Sequence, residues 1–471
     1  MKSSRRILFV LLGPVVFFLA ISLLTGIVSP KGAQAIGISL WMVFWWVTRP
    51  VDITVTAFVP VAANAVLNVV PMNGLISQYS SASIILVFSA TLLTLPWAKI
   101  GLDKRIALKC LSVIGPSMKS QIAVWLICAI LFSTVLPNVV VCAIFTPIAI
   151  AMLKAAGYEG TSAAAAPILC AIGWGAGIGG VGTPVGGAMN VVAIALLEQH
   201  TGHEFLFIDW ITHITPYLIV VTIVCLIVQL MLPCEVKSLE GTKEYFKDAY
   251  EKLGPMKRSE KVSLFLFCVA LIGSFLRPVY AKAAPGLIPA YLFAILGFLG
   301  FFLSDDDGSP LVDWAYVQKN MLWGMMILFA GGLAMGNLLG NSGANKDIAN
   351  IVASVEMTPG LPMIVAITVF AVLISEATNS TVSSAVMIPI VISFTTKVGL
   401  PLMPYWFIAV MAYNSEFLLP VSVRAITCGN GLDPNVQMKR GLPVLIARTL
   451  TVIVVGYIAL QIPAFSQVGS L

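Results

Sequence analysis

Charge is scarce in this chain. Only 10% of its 471 residues are Asp, Glu, Lys or Arg, where a soluble protein carries roughly 25%. Beside a hydrophobic content of 59%, that deficit excludes an ordinary soluble domain. Histidine is nearly absent: there are three, His200, His203 and His213. The HTGH run at 200–203 is too isolated for a zinc site and reads as a polar loop. The eight cysteines form no CxxC pair and most lie inside apolar runs. They read as small packing residues, neither disulfides nor metal ligands. No basic stripe interleaved with aromatics occurs, which argues against a nucleic-acid partner, and the net charge of +6 reads first as membrane topology.

What is present is apolar length. Runs at 7–28, 211–232, 262–279 and 442–462 approach or exceed the ~20 residues that cross a bilayer. MKSSRR before an apolar run, with Ala33-Gln34-Ala35 after it, imitates a signal peptide. With so many spans following, 7–28 is expected to be a retained first helix. Lys and Arg cluster at 2–6, 99–119, 235–261 and 439–440, and placing all four in the cytoplasm gives a consistent count. Helices 1 to 4 are expected over 7–28, 34–48, 52–71 and 82–100. The segment 121–156 has two apolar arms around Pro137-Asn138 and basic residues at both ends, Lys119 and Lys154. It therefore reads as a re-entrant hairpin. Helices 5 and 6 follow over 163–198 and 209–233, then a charged loop. The second half repeats the plan with 262–280, 287–303, 321–340, a two-armed segment over 361–397, and 402–427 and 441–463. The expected fold is an all-α polytopic membrane protein of roughly eleven transmembrane helices with two re-entrant hairpins. Its N-terminus is expected in the cytoplasm and its place in the plasma (inner) membrane.

The two hairpins align without a gap. STVLPNVVVCAIFTPIAI from Ser133 and SEATNSTVSSAVMIPIVI from Ser375 share Ser at the start, Ala at the eleventh position and Pro-Ile near the end. The polar break falls at the same place in both. Inverted repeats with broken helices meeting near the midplane are the architecture of secondary transporters. Unwound backbone survives in lipid only where protein, ion or water satisfies it. A half-helix N-terminus favours an anion, while carbonyl and side-chain oxygens favour a small cation such as Na⁺. Ser and Thr are also common packing residues between membrane helices, but two polar stretches in matched register favour a binding pocket. Two further breaks follow: GWGAGIGGVGTPVGGAMN at 173–190 and NSEFLLPVSVRAITCGNG at 414–431. The first holds too many glycines for an unbroken helix at about 1 kcal/mol each. With no βαβ unit around it, its GxGxxG look carries no nucleotide.

GLDKRIAL at 101–108, LGPMKRSEK at 253–261 and NMLWGMMILFAGGLAMGNLLGNSG at 320–343 give the chain its likeness to a known family. In their order and spacing the chain resembles the divalent anion/sodium symporter family, the sodium-coupled di- and tricarboxylate and sulfate carriers. The likeness covers nearly the whole chain. The family's Ser-Asn-Thr tripeptide, which contacts substrate and sodium at each hairpin tip, falls on Pro137-Asn138-Val139 and Asn379-Ser380-Thr381. The first tip keeps Asn138, with Ser133 upstream, but loses two hydroxyls. The family's Gly-Thr-Pro-Pro-Asn break falls on Gly186-Gly187-Ala188-Met189-Asn190, and its counterpart in helix 10 on Ser422-Val423-Arg424-Ala425-Ile426.

The resemblance thus implies a substrate site of Asn138, Gly187, Asn379, Ser380, Thr381, Val423 and Arg424. It implies Na⁺ ligands among Ser133, Asn138, Gly186, Ser375, Thr378, Ser380 and Ser422. Arg424 is open to three readings: a clamp on an anionic substrate, a tethered cation near the second sodium position paired with Glu376 or Glu416, or a side chain snorkelling to the interface. The resemblance also implies a homodimer moving as an elevator. Scaffold helices would fill 1–120 and 262–345, and transport halves 121–233 and 346–471, with a cytoplasmic loop at 234–261 between them. The expected function is import of a small anion, a C4-dicarboxylate or related acid, by Na⁺ symport without organic cofactor. A sodium-independent anion exchanger is the alternative. A membrane-embedded enzyme is disfavoured by the lack of a metal-ligand motif or a Ser/His/Asp set.

Overall fold

The protein is seen in a computed structural model that describes residues 3–353 and 359–466. Among these residues every regular element is helical. Seven helices are long and apolar enough to cross a membrane, and shorter apolar helices lie between them. The first span is Ser3–Leu24, packed along Pro30–Thr48. Ser29 starts the second by accepting the Gly32 N–H at 3.1 Å, with Pro30 in the first turn where its missing donor does no harm.

Two expected spans are shorter than the sequence suggested. The helix expected over 52–71 is two pieces, Ile53–Thr56 and Val59–Leu67. Pro60 opens the second piece, since a proline cannot continue the hydrogen-bonding of a preceding turn. The span expected over 287–303 is Pro289–Phe298 closed by a tight turn, and it packs on Ala82–Ile100.

The charged loop also has structure. Thr242–Glu251 is an amphipathic helix that buries Phe246 edge-on against Trp125, ring centroids 5.9 Å apart. Two of the family-like segments meet here. Arg105 of 101–108 donates Nε to Glu260 at 2.7 Å and Nη1 to the Gly254 carbonyl at 2.8 Å, both within 253–261. Glu260 also accepts the Lys257 N–H at 2.7 Å, capping Arg258–Phe275. Lys99 lies 3.6 Å from Asp305. The basic face of the protein is thus cross-linked by charge.

Both hairpin segments are broken helices. The first is Met118–Ser133 and Asn138–Ala155; the second is Leu361–Ala377 and Ser380–Val398. Their leading arms of 16 and 17 residues rise about 24–26 Å at 1.5 Å per residue, short of the ~30 Å hydrocarbon layer. Pro137 ends the first arm's hydrogen bonding. In the second, Thr378 leaves helical geometry at φ −126°, ψ −91°, and the Asn379 side chain caps the next helix through the Val382 N–H at 2.9 Å. The expected helices 163–198 and 402–427 are likewise interrupted, into Ala165–Gly179 and Ala188–Thr201, and into Leu402–Ala412 and Arg424–Gly429.

Candidate functional site

In the first half, the hairpin turn folds onto the glycine-rich break. The Ser133 hydroxyl donates to the Ala176 carbonyl at 2.6 Å. The Thr183 hydroxyl donates to the Thr134 carbonyl at 2.5 Å and accepts the Gly186 N–H at 3.2 Å. Asn190 ties the break together: its amide donates to the Gly180 and Thr183 carbonyls at 2.7 and 2.8 Å, and it accepts the Tyr413 hydroxyl at 2.8 Å. A Cβ on Gly186 would lie 2.6 Å from the Ser133 carbonyl oxygen and 3.0 Å from those of Thr134 and Gly180. Three carbonyl oxygens thus converge beside Gly186 as a cradle with no room for a side chain, and carbonyl oxygens are the ligand chemistry a hard cation takes.

Pro137, Asn138 and Gly187 line a cavity of ≈ 30 Å³, room for about one water. It is too small for a dicarboxylate in this conformation. Thr91 and Leu322 border both this cavity and a vestibule of ≈ 950 Å³, which also takes in Val139, Lys104 and Lys252. The first tip is thus reached from the basic face.

The second half is held by charge. Both the N–H and the hydroxyl of Ser380 donate to Glu416 Oε1. Arg424 Nη1 donates to Glu416 Oε2 at 2.6 Å, with the two side chains 1% and 0% exposed. Glu376 accepts the backbone N–H of Phe417 at 2.5 Å and of Leu418 at 3.1 Å. Ser375 accepts the Ser415 N–H at 3.1 Å. Buried Arg448 donates to the Met411 carbonyl at 2.6 Å and to the Ser415 hydroxyl. Both guanidiniums face the Phe417 ring, at 6.0 and 5.8 Å from its centroid.

Both hairpins are tied to the first broken helix at two consecutive carbonyls. Ala176 holds Ser133 of the first hairpin. Gly177 accepts the Asn414 amide, whose Oδ1 lies 3.1 Å from the Ser380 hydroxyl of the second hairpin.

The structure brings Ser133, Asn138, Gly186 and Gly187 together on one side, and Ser375, Ser380 and Arg424 on the other. Thr378 spends its hydroxyl on the Ile374 carbonyl at 2.6 Å, while its own carbonyl accepts Arg49 Nη2 at 3.1 Å. Asn379 is the helix cap, and Thr381 is half-buried beside it. Ser422 departs from expectation: it is exposed at φ 53°, outside the polar cluster. Val423 is fully buried but brings only apolar atoms. The reason is that the second break begins earlier than the family register implied, and Asn414, Ser415 and Glu416 turn inward from it. Snorkelling by Arg424 is also overturned, because its side chain is enclosed and paired. Sequence reasoning left Asn414, Ser415 and Arg448 out of the site and carried Glu416 only as a partner for Arg424. The available signal was an acid and an arginine inside apolar runs, which are functional by default in a membrane.

Asn190→Ala tests the first break. It leaves the Gly180 carbonyl and the Tyr413 hydroxyl without their partner, at about 1–3 kcal/mol for each unsatisfied buried group, while the Thr183 carbonyl keeps the Gly186 N–H at 3.1 Å. A clear fall in the thermal midpoint of detergent-purified protein is expected, and a smaller one for Tyr413→Phe, which removes one bond.

Broken helices, buried polar tips and a vestibule reaching the first of them from one face define a multi-pass membrane carrier. The chain belongs to the citrate transporter family, whose family model matches residues 43–412. It is a transporter and not an enzyme. It is 26% identical over 441 residues to the sodium-dependent dicarboxylate transporter SdcS of Staphylococcus saprophyticus, covering 89% of this chain and 85% of that protein. Its identity to an SdcS of Staphylococcus aureus is 27% over 478 residues, covering 97% and 92%. Among solved structures, the Alcanivorax borkumensis YdaH transporter shares the fold at a TM-score of 0.55 and 13% identity, over 82% of this chain and 87% of that one.

Proposed function

We propose that this protein imports a small dicarboxylate, a C4 acid or close relative, together with Na⁺ across the plasma membrane. The similarity to sodium-dependent dicarboxylate transporters supports the substrate class. The observation that carries the reading is the junction at Ala176 and Gly177, where both hairpin tips reach the first broken helix. In this reading Na⁺ enters the Gly186 cradle, between the carbonyls of Ser133, Thr134 and Gly180. The substrate carboxylates sit at the N-terminal ends of Asn138–Ala155 and Ala188–Thr201, beside Asn138 and Gly187. There the positive end of the helix dipole favours negative charge. Asn379, Ser380 and Thr381 approach from the second tip.

The vestibule opens beside Lys104 and Lys252, the cytoplasmic side by the positive-inside rule, so the conformation is the one that releases substrate inward. The same proposal has the N-terminus in the cytoplasm. It has hairpins and broken helices (121–233 and 346–471) moving as one body against 1–120 and 262–345, in a homodimer. The matched roles of Ser133 and Ser375, each bonded to the broken helix of its own half, support the repeat behind that motion.

The test is succinate uptake into proteoliposomes. An inward Na⁺ gradient should drive accumulation in vesicles with no internal substrate, and choline should not. If uptake needs preloaded dicarboxylate and ignores Na⁺, the protein is an exchanger and the symport reading fails.

A further inference from the structure

Resting on the Na⁺-coupled reading above, we propose that the Arg424–Glu416 pair is a built-in substitute for a coupling cation. It keeps the second hairpin tip closed, so the exchangeable Na⁺ binds in the first half alone. The two halves are unequal in just this respect. Around Gly186, backbone carbonyls from hairpin and break converge so closely that a single Cβ would clash with them. At the matching tip in the second half, the Ser380 N–H and hydroxyl are committed to Glu416 Oε1, and Glu416 Oε2 to Arg424 Nη1.

A guanidinium offers donors and no acceptor, so it cannot join an oxygen cage around an ion. Space for it is provided from the other half: a Cβ on Gly177 would lie 2.0 Å from Arg424 Nη2. Gly177 also takes the Asn414 amide, so the closed second tip is fastened to the helix that holds Ser133 through Ala176. The pair is neutral as a whole, so it does for the tip what a bound ion would do without adding a transported charge.

The experiment uses the full chain in proteoliposomes, with succinate as substrate and Na⁺ varied against choline. The double variant Arg424→Gln/Glu416→Gln removes the charges but keeps an oxygen facing Ser380. It is expected to need an additional Na⁺, its Hill coefficient for Na⁺ rising by about one as a site is added. Arg424→Lys, which keeps a cation, should retain the wild-type Na⁺ dependence. A double variant with wild-type Na⁺ dependence and a raised KM for succinate overturns the proposal and makes Arg424 a substrate clamp.

If the double variant does not fold, reporter cysteines Val139→Cys and Thr381→Cys decide the matter on the native pair. Na⁺ should slow maleimide labelling at 139 and leave 381 unchanged; equal protection at both overturns the proposal. Wild-type uptake indifferent to Na⁺ overturns the symport reading instead, and a Na⁺ requirement then acquired by the double variant still supports the built-in cation.

Discussion

Glu416→Ala is expected to abolish transport and to destabilise the protein by about 3–5 kcal/mol, the range for stripping one partner from a buried ion pair. The Glu416 side chain is fully buried and takes three donors: Arg424 Nη1 and the N–H and hydroxyl of Ser380. Alanine takes the directly bonded carboxylate from a buried guanidinium and frees the second hairpin tip at the same moment. Glu416→Gln should cost less, since its carbonyl still accepts from Ser380 while the charge on Arg424 goes uncompensated. Removing both charges together, as Arg424→Met with Glu416→Leu, should cost less again, because neither residue is then left as a lone ion. Thermal unfolding in detergent orders the three. If Glu416→Ala unfolds no earlier than the double apolar variant, the pair does not hold the tip.

The hairpins were legible because their cause is local. Pro137-Asn138 pairs a residue without an N–H donor with a polar amide inside an apolar run, and Thr378-Asn379-Ser380 places polar groups where an opened backbone can use them. The match of Ser133 with Ser375 was readable for the same reason, being a property of order along the chain. The second break was not. Its acid and its arginine are eight residues apart and meet only because the chain between them, 417–423, is unwound. No helical or strand period predicts that pairing, and a register borrowed from the family placed the site at Ser422, a residue that faces outward. Arg105 with Glu260 shows the same limit on the basic face. Each lies in a recognisable motif, yet 155 positions separate them, so their union appears only in the fold.

Gly186→Ala is expected to lower apparent Na⁺ affinity by on the order of a hundredfold, a loss of about 2.8 kcal/mol at 1.4 kcal/mol per factor of ten. The added methyl would stand 2.6 Å from the Ser133 carbonyl and 3.0 Å from those of Thr134 and Gly180. All three are backbone atoms, so relief requires the hairpin to retreat from the break. It cannot retreat freely, because Ser133 is bonded to Ala176 and Thr183 to Thr134. The methyl therefore crowds the three carbonyls and spreads the oxygens that would hold an ion. Gly286→Ala is the matched control: nothing lies within 4 Å of its Cβ position, and its Na⁺ dependence should be that of the parent. Succinate uptake against Na⁺ concentration reads both. Should Gly186→Ala keep the parent's half-saturating Na⁺ concentration, the coupling ion binds elsewhere, since three carbonyls displaced by a methyl group cannot still form the same cage.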